Sequence, residues 1–167
     1  MESLISLALI RQRYTPFGGA ERFLDRAMGV LQRESGVKIT LIARHWEGEV
    51  EGLRTITCNP FCWGRLWRDM SFAWCVGRQL RRQRFNLVQS HERLEGCDIY
   101  RAGDGVHRVW LEERGRTLGW LGRLATDWSP YHRHVLAMER RMFQSPALRA
   151  VICNSRMVRE EIVRCFG

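Results

Sequence analysis

Apolar residues recur along this chain in two alternating rhythms. Leu4-Ile5-Ser6-Leu7-Ala8-Leu9-Ile10 is an apolar run of strand length, and Phe23, Leu24, Ala27, Met28 and Leu31 then recur at helical spacing. Between them lies a turn containing Gly18-Gly19. Val37 to Ala43 predicts a second strand, and Leu53 to Cys58 a short third one stopped by Asn59-Pro60. A long helix is expected from about Gly64 to Arg84, with Leu66, Trp67, Met70, Trp74, Val76, Gly77 and Leu80 as its apolar side. Arg65, Arg68, Arg78, Arg81, Arg82 and Arg84 form its basic side, either solvated or in contact with phosphates. Phe85 to His91, Cys97 to Ala102 and Ala150 to Ser155 predict three more strands. Helices are expected from about Ser129 to Phe143 and onward from an N-cap at Ser155. Strands alternating with helices predict an α/β fold, a Rossmann-like open parallel sheet with helices on both faces.

In such sheets ligands gather outside the C-terminal ends of the strands. The loops there hold the candidate chemistry. Gly18 and Gly19 let a ligand approach the backbone, and the helix start after them favours phosphate or polyhydroxyl groups. Neither G-x-G-x-x-G nor a P-loop pattern is present, which argues against a dinucleotide or P-loop site. His45, Trp46 and Glu47 follow the second strand, and His91 and Glu92 follow the fourth. Asp104 lies between two glycines after the fifth, where a functional carboxylate or a plain turn residue would each fit. His132 and His134 lack a third partner and make a poor metal site.

Composition changes the picture in one respect. The 167 residues carry a formal net charge of +9, with a pI near 10.1, and Lys38 is the sole lysine. An arginine-rich surface implies an anionic partner: a phosphorylated substrate, an anionic membrane face or nucleic acid. No RNP, helix-turn-helix or zinc-finger pattern supports nucleic acid. From Arg108 to Trp128, tryptophan is interleaved with arginine, including Arg108, Trp110, Arg116, Trp120 and Arg123. That mixture suits a membrane-surface segment, as well as a buried helix. Cys58 and Cys62 have no second pair to complete a zinc site, and Cys97 and Cys153 read as small core residues, so a reducing cytoplasm is the simplest setting. Leu4 to Ile10 is too short to span a membrane and lacks the flanks of a signal peptide.

Pro16-Phe17-Gly18-Gly19-Ala20-Glu21, Trp46-Glu47-Gly48, the series Gly96, Asp98, Tyr100, Ala102 and Asp104, then Glu139, Arg140 and Phe143, and finally Asn154-Ser155 together resemble one family. The resemblance is to the N-terminal domain of GT-B glycosyltransferases of family 4, nearest to lipopolysaccharide core glucosyltransferases of the heptose I type. It covers almost the whole chain. His91-Glu92 and Gly105-Val106-His107 depart from the glucosyltransferase pattern and leave the acceptor open.

The resemblance implies that residues 1–167 form one acceptor-side domain, with the C-terminal nucleotide-sugar domain absent. It implies a retaining transfer from a nucleotide sugar, UDP-glucose being the first guess, to a lipid-linked or phosphorylated saccharide, with no cofactor or metal. Asp104 would orient or deprotonate the acceptor hydroxyl. Gly18 and Gly19 would lie beneath the diphosphate, while Trp46, Glu47 and His107 would line the acceptor pocket. The tryptophan–arginine segment would hold the protein on the cytoplasmic face of the inner membrane. A separate donor domain is a possible partner, and a non-catalytic module for anionic membranes or saccharides is the alternative reading.

Overall fold

The computed structural model describes residues 5–14, 36–46, 54–118, 126 and 128–167, without the side chains of Tyr14 and Trp46. The expected first helix, and Gly18, Gly19, Glu47, Trp120 and Arg123, lie outside the described residues.

Six strands form one sheet. They are β1 (Ile5–Tyr14), β2 (Val37–Trp46), β3 (Arg54–Thr57), β4 (Leu87–Ser90), β5 (Ile99–Ala102) and β6 (Ala150–Cys153). Four helices are described: α1 (Gly64–Arg82), α2 (His107–Thr117), α3 (Pro130–Phe143) and α4 (Arg156–Phe166). The strand order is β3-β2-β1-β4-β5-β6, and every pairing is parallel. The chain therefore builds outward from β1 in one direction, then crosses through α1 and builds outward in the other. The reversal between β1 and β4 opens a crevice at the strand C-termini, where open α/β sheets bind ligands.

Alternation along β1 explains why it is central. Ala8 and Ile10 point to one face, where they join Ile42, Val88 and Tyr100. Leu7 and Leu9 point to the other and join Ile39, Leu41 and Ala43. A strand buried on both faces reads as a continuous apolar run, as Leu7 to Ile10 does. Phe72 and Val76 of α1, Met142 of α3 and Val158 of α4 complete the first cluster.

β1 and β2 run beyond their apolar stretches. They stay paired through Arg13 with His45 and Tyr14 with Trp46. The ladder continues because each extension satisfies the other's backbone groups, which side-chain hydropathy does not report.

The expected apolar side of α1 needs correction. Phe72 and Val76 face the core, but Trp67, Met70 and Trp74 are exposed. The helix carries two apolar stripes on opposite sides, and the aromatic one faces outward. Burial at the sheet fell to the stripe of Phe72 and Val76, which Ala73 and Leu80 flank at the same core.

Candidate functional site

The site grows from the ends of β1, β4 and β5. After β4 the chain turns through His91, Glu92 and Arg93. Ser90 Oγ donates to Glu92 O at 2.7 Å and accepts from Glu92 N at 3.0 Å, which closes the turn. The Glu92 carboxylate accepts the backbone N–H of Gln12 on β1 at 2.9 Å. The Gln12 side chain donates in turn to Asp69 on α1 at 3.0 Å. Glu92 thus bridges the two strands at the sheet's point of reversal. Burial raises its pKa, against the opposing pull of the Gln12 hydrogen bond and Arg11.

Arg93 reaches the loop after β5. Its Nε donates to Glu139 at 3.0 Å and its Nη2 to the carbonyl of Gly105 at 3.1 Å. Glu139 is buried on α3 between Val135 and Met142. Both its carboxylate oxygens accept the backbone N–H of His107, each at 3.1 Å. From the other side, Glu161 of α4 accepts the N–H of Val106 at 2.9 Å. A Cβ at Gly105 would run into the Glu161 carboxylate, the flexible end of that side chain, so a substituent there would have to displace it. Asn154 Nδ2 donates to Gly103 O at 2.6 Å, and Ser155 caps α4 by accepting from Val158 N at 3.3 Å.

Residues 103–107 are therefore held from three elements. Asp104 is exposed in the middle of that loop. It borders two cavities. One, of about 740 Å³, runs from Asp104 and His107 past Trp110 to His132 and Asn154. The other, of about 210 Å³, lies among Arg11, His91, Arg93 and Tyr100. A third, of about 200 Å³, is lined by Gln12, Asp69, Glu92 and His134. Arg93 borders all three.

The large cavity has an aromatic wall. His107 stacks on Trp110 at 5.4 Å, with 14° between the rings. His107 Nε2 and His132 Nδ1 lie 3.1 Å apart, one donating and the other accepting. Arg114 sits over the Trp110 ring at 5.1 Å and Arg65 over Tyr131 at 5.0 Å. Burial, then Arg93 and His132, push the His107 pKa down to about 4. His132 is lowered by burial, Arg114 and Arg65. Burial, Arg101 and Arg11 hold His91 at about 3. These imidazoles are neutral at physiological pH. Flat rings, neutral hydrogen-bonding nitrogens and nearby guanidiniums suit a polyhydroxyl ligand that also carries phosphate.

Of the expected site residues, Asp104, His107 and Trp110 line one cavity. Arg108 and Arg116 are exposed along α2, where Arg116 pairs with Glu113 at 2.7 Å. Trp46 ends β2, with its side chain outside the description. Arg93, Glu161 and Tyr131 escaped the sequence reading, as did the pairing of His132 with His107. Glu139 was noted there only for its family likeness. A signal for it did exist: Val135, Glu139 and Met142 share one buried helix stripe, and an acid there needs a partner.

Residues 17–167 match the family model described as Glycosyltransferase Family 4. No curated protein matches the sequence. Among solved structures, the chain is similar to WaaG, a glycosyltransferase involved in lipopolysaccharide biosynthesis. The TM-score is 0.80 at 20% identity, over 96% of this chain and 41% of that one. The present chain thus spans less than half the length of that structure.

Proposed function

The chain belongs to Glycosyltransferase Family 4, and from that premise we propose that it is the acceptor-side part of a glycosyltransferase moving a sugar from a nucleotide sugar to a lipid-linked or phosphorylated saccharide in cell-envelope glycan synthesis. The observation that carries this reading is the position of Asp104. It is an exposed carboxylate at the end of β5, on a loop fixed by Arg93, Glu139 and Glu161, between two cavities.

In the proposed reaction the acceptor oxygen bonds to the anomeric carbon as the bond to the diphosphate breaks. Asp104 accepts or orients the hydroxyl proton. His107 and Trp110 carry the saccharide ring, and Arg93 meets its phosphate. Donor residues would come from a part of the enzyme outside this chain, a reading supported by its span of 41% of WaaG. Gly18 and Gly19 would face the diphosphate from this side. Retention without a metal, and UDP-glucose as donor, complete the proposal. The segment from Arg108 to Arg123 would contact the anionic inner leaflet; Arg108 and Arg116 are exposed, which supports it. No described helix is long and apolar enough to cross a membrane.

Calorimetry tests the reading. A phosphorylated inner-core oligosaccharide should bind this chain, and Asp104→Asn should weaken it by about tenfold, the loss of one charge-assisted hydrogen bond. UDP-glucose alone should bind weakly or not at all. Micromolar binding of UDP-glucose with no response to the oligosaccharide would overturn the acceptor-side assignment.

A further inference from the structure

The outer edge of α1 gathers several of the large apolar side chains that stand exposed among the described residues. Trp63, Trp67, Met70, Trp74, Arg78 and Arg81 are spaced by four, three, four, four and three residues. From Trp67 to Arg81 that spacing lines one edge of the helix, roughly 21 Å long, and Trp63 stands just before it at the N-cap in extended conformation. Phe72 and Val76 are buried on the opposite side. The apolar members lie open to water: Trp63 is 82% exposed, Trp67 53%, Met70 51% and Trp74 59%. Phe61 extends the patch, 78% exposed and edge-on to Trp67 at 6.3 Å. Arg78 lies over the Trp74 ring at 5.6 Å.

We propose that this edge of α1 docks on an anionic lipid bilayer, with the helix lying flat. Trp63, Trp67, Met70 and Trp74 would enter the boundary between headgroups and acyl chains, while Arg78 and Arg81 meet lipid phosphates. Charge decides between occupants. From Phe61 to Arg84 there are six arginines and one acid, Asp69. Asp69 is engaged by Gln12 and Arg68, away from the edge. A second copy of this chain would bring the same positive edge and be repelled. A bilayer carrying phosphate supplies the opposite charge. Tryptophan with arginine stacked beside it also matches headgroup depth, where one end of the ring is wet. The proposal deepens the reading above and rests on it for an acceptor held in the membrane, but names a different element from the segment 108–123.

The test is co-sedimentation of the whole chain with vesicles. One set is phosphatidylcholine, and the other equal parts phosphatidylcholine and phosphatidylglycerol. The chain should partition onto the anionic vesicles. Combined Trp67→Ser, Met70→Ser and Trp74→Ser should lower partitioning at least about tenfold. Arg78→Gln and Arg81→Gln should each lower it about fivefold, on anionic vesicles alone. The substituted side chains are exposed, so the melting temperature should hold. Separately, brominated lipid should quench tryptophan emission, and Trp67→Phe with Trp74→Phe should remove most of that quenching. Unchanged partitioning of the triple serine variant would overturn the proposal. So would equal binding to neutral vesicles, or binding abolished by Arg108→Gln with Arg116→Gln alone. A concentration-dependent dimer that the triple variant loses, without vesicle binding, would assign the edge to self-association instead. Saccharide calorimetry is independent of all these outcomes, so failure here and failure of the glycosyltransferase reading are separable.

Discussion

The loop from Gly103 to His107 and the outer edge of α1 break the inside–outside rule in opposite directions. Around the loop, a carboxylate and a guanidinium are taken out of water, with Glu139 buried and Arg93 half-buried against it. Along α1, Trp67, Met70 and Trp74 are left in water. Neither arrangement is needed to fold an open sheet. Buried ion pairs cost desolvation and are often replaceable by apolar residues without loss of stability. Half-exposed tryptophans gain much less from folding than buried ones would. The difference teaches which demand each region meets. The loop needs a fixed shape around Asp104, and fixity in a dry interior comes from hydrogen-bonded charges. The α1 edge needs no fixed partner within the chain, only an apolar surface in the right place.

The largest effect expected is on the loop. Glu139→Ala removes the acceptor of His107 N–H and leaves the Arg93 guanidinium without its carboxylate. Urea unfolding should show a loss of about 3–5 kcal/mol. Arg93→Met combined with Glu139→Leu should recover the part due to the unpaired guanidinium, while the loss of the His107 N–H acceptor remains. A loss below about 1 kcal/mol would mean that the loop is held by something else.

Acid should come next. His91 and His107 titrate in the fold at about 3 and about 4, below the ordinary 6.5. Between those values the unfolded chain binds more protons, so stability falls as pH drops below 6.5. Glu92 works the other way: its raised pKa makes the fold bind the extra proton, so its share of stability falls as pH rises above 4.5. His91 and His107, with His132 acting in the same direction, outweigh the one carboxyl, so stability should rise on going from pH 4.5 to 6.5, by at least on the order of 1 kcal/mol per pH unit. Thermal melts across that range check the sign, and Glu92→Gln should steepen the slope.

Gly105→Ala should cost about 1–2 kcal/mol, since the added methyl displaces Glu161 from Val106 N–H. The smallest effects belong to the exterior. Trp67→Ser on α1, and Glu113→Ala in the exposed pair with Arg116, should each change stability by less than about 0.5 kcal/mol. A large loss at Trp67 would show that the α1 edge serves the fold, and would dissolve the contrast with the loop.

The order of strands and helices was legible because Leu7 to Ile10 and Ile39 to Ala43 are buried on both faces and so carry unbroken apolar runs. The placement of Asp104 on a strand-end loop was legible because glycines flank it on either side. Arg93, Glu139, Glu161 and Gln12 were not read as one site, because their convergence depends on the reversal between β1 and β4 and on long-range contacts that spacing along the chain does not encode. The α1 stripe misled for a simple reason. The expected side merged two stripes that lie on opposite sides of the helix, and the apolar character of each does not say which one meets the sheet.

The most direct measurement is nuclear magnetic resonance of the His107 ring and the Trp110 indole during titration with a phosphorylated inner-core oligosaccharide. Both rings should shift together and saturably, with the effect much reduced in Asp104→Asn and unchanged in the triple serine variant of α1. Shifts confined to residues outside the Asp104 cavities, or rings indifferent to the saccharide, would contradict the assignment of this cleft as the acceptor side of a glycosyltransferase.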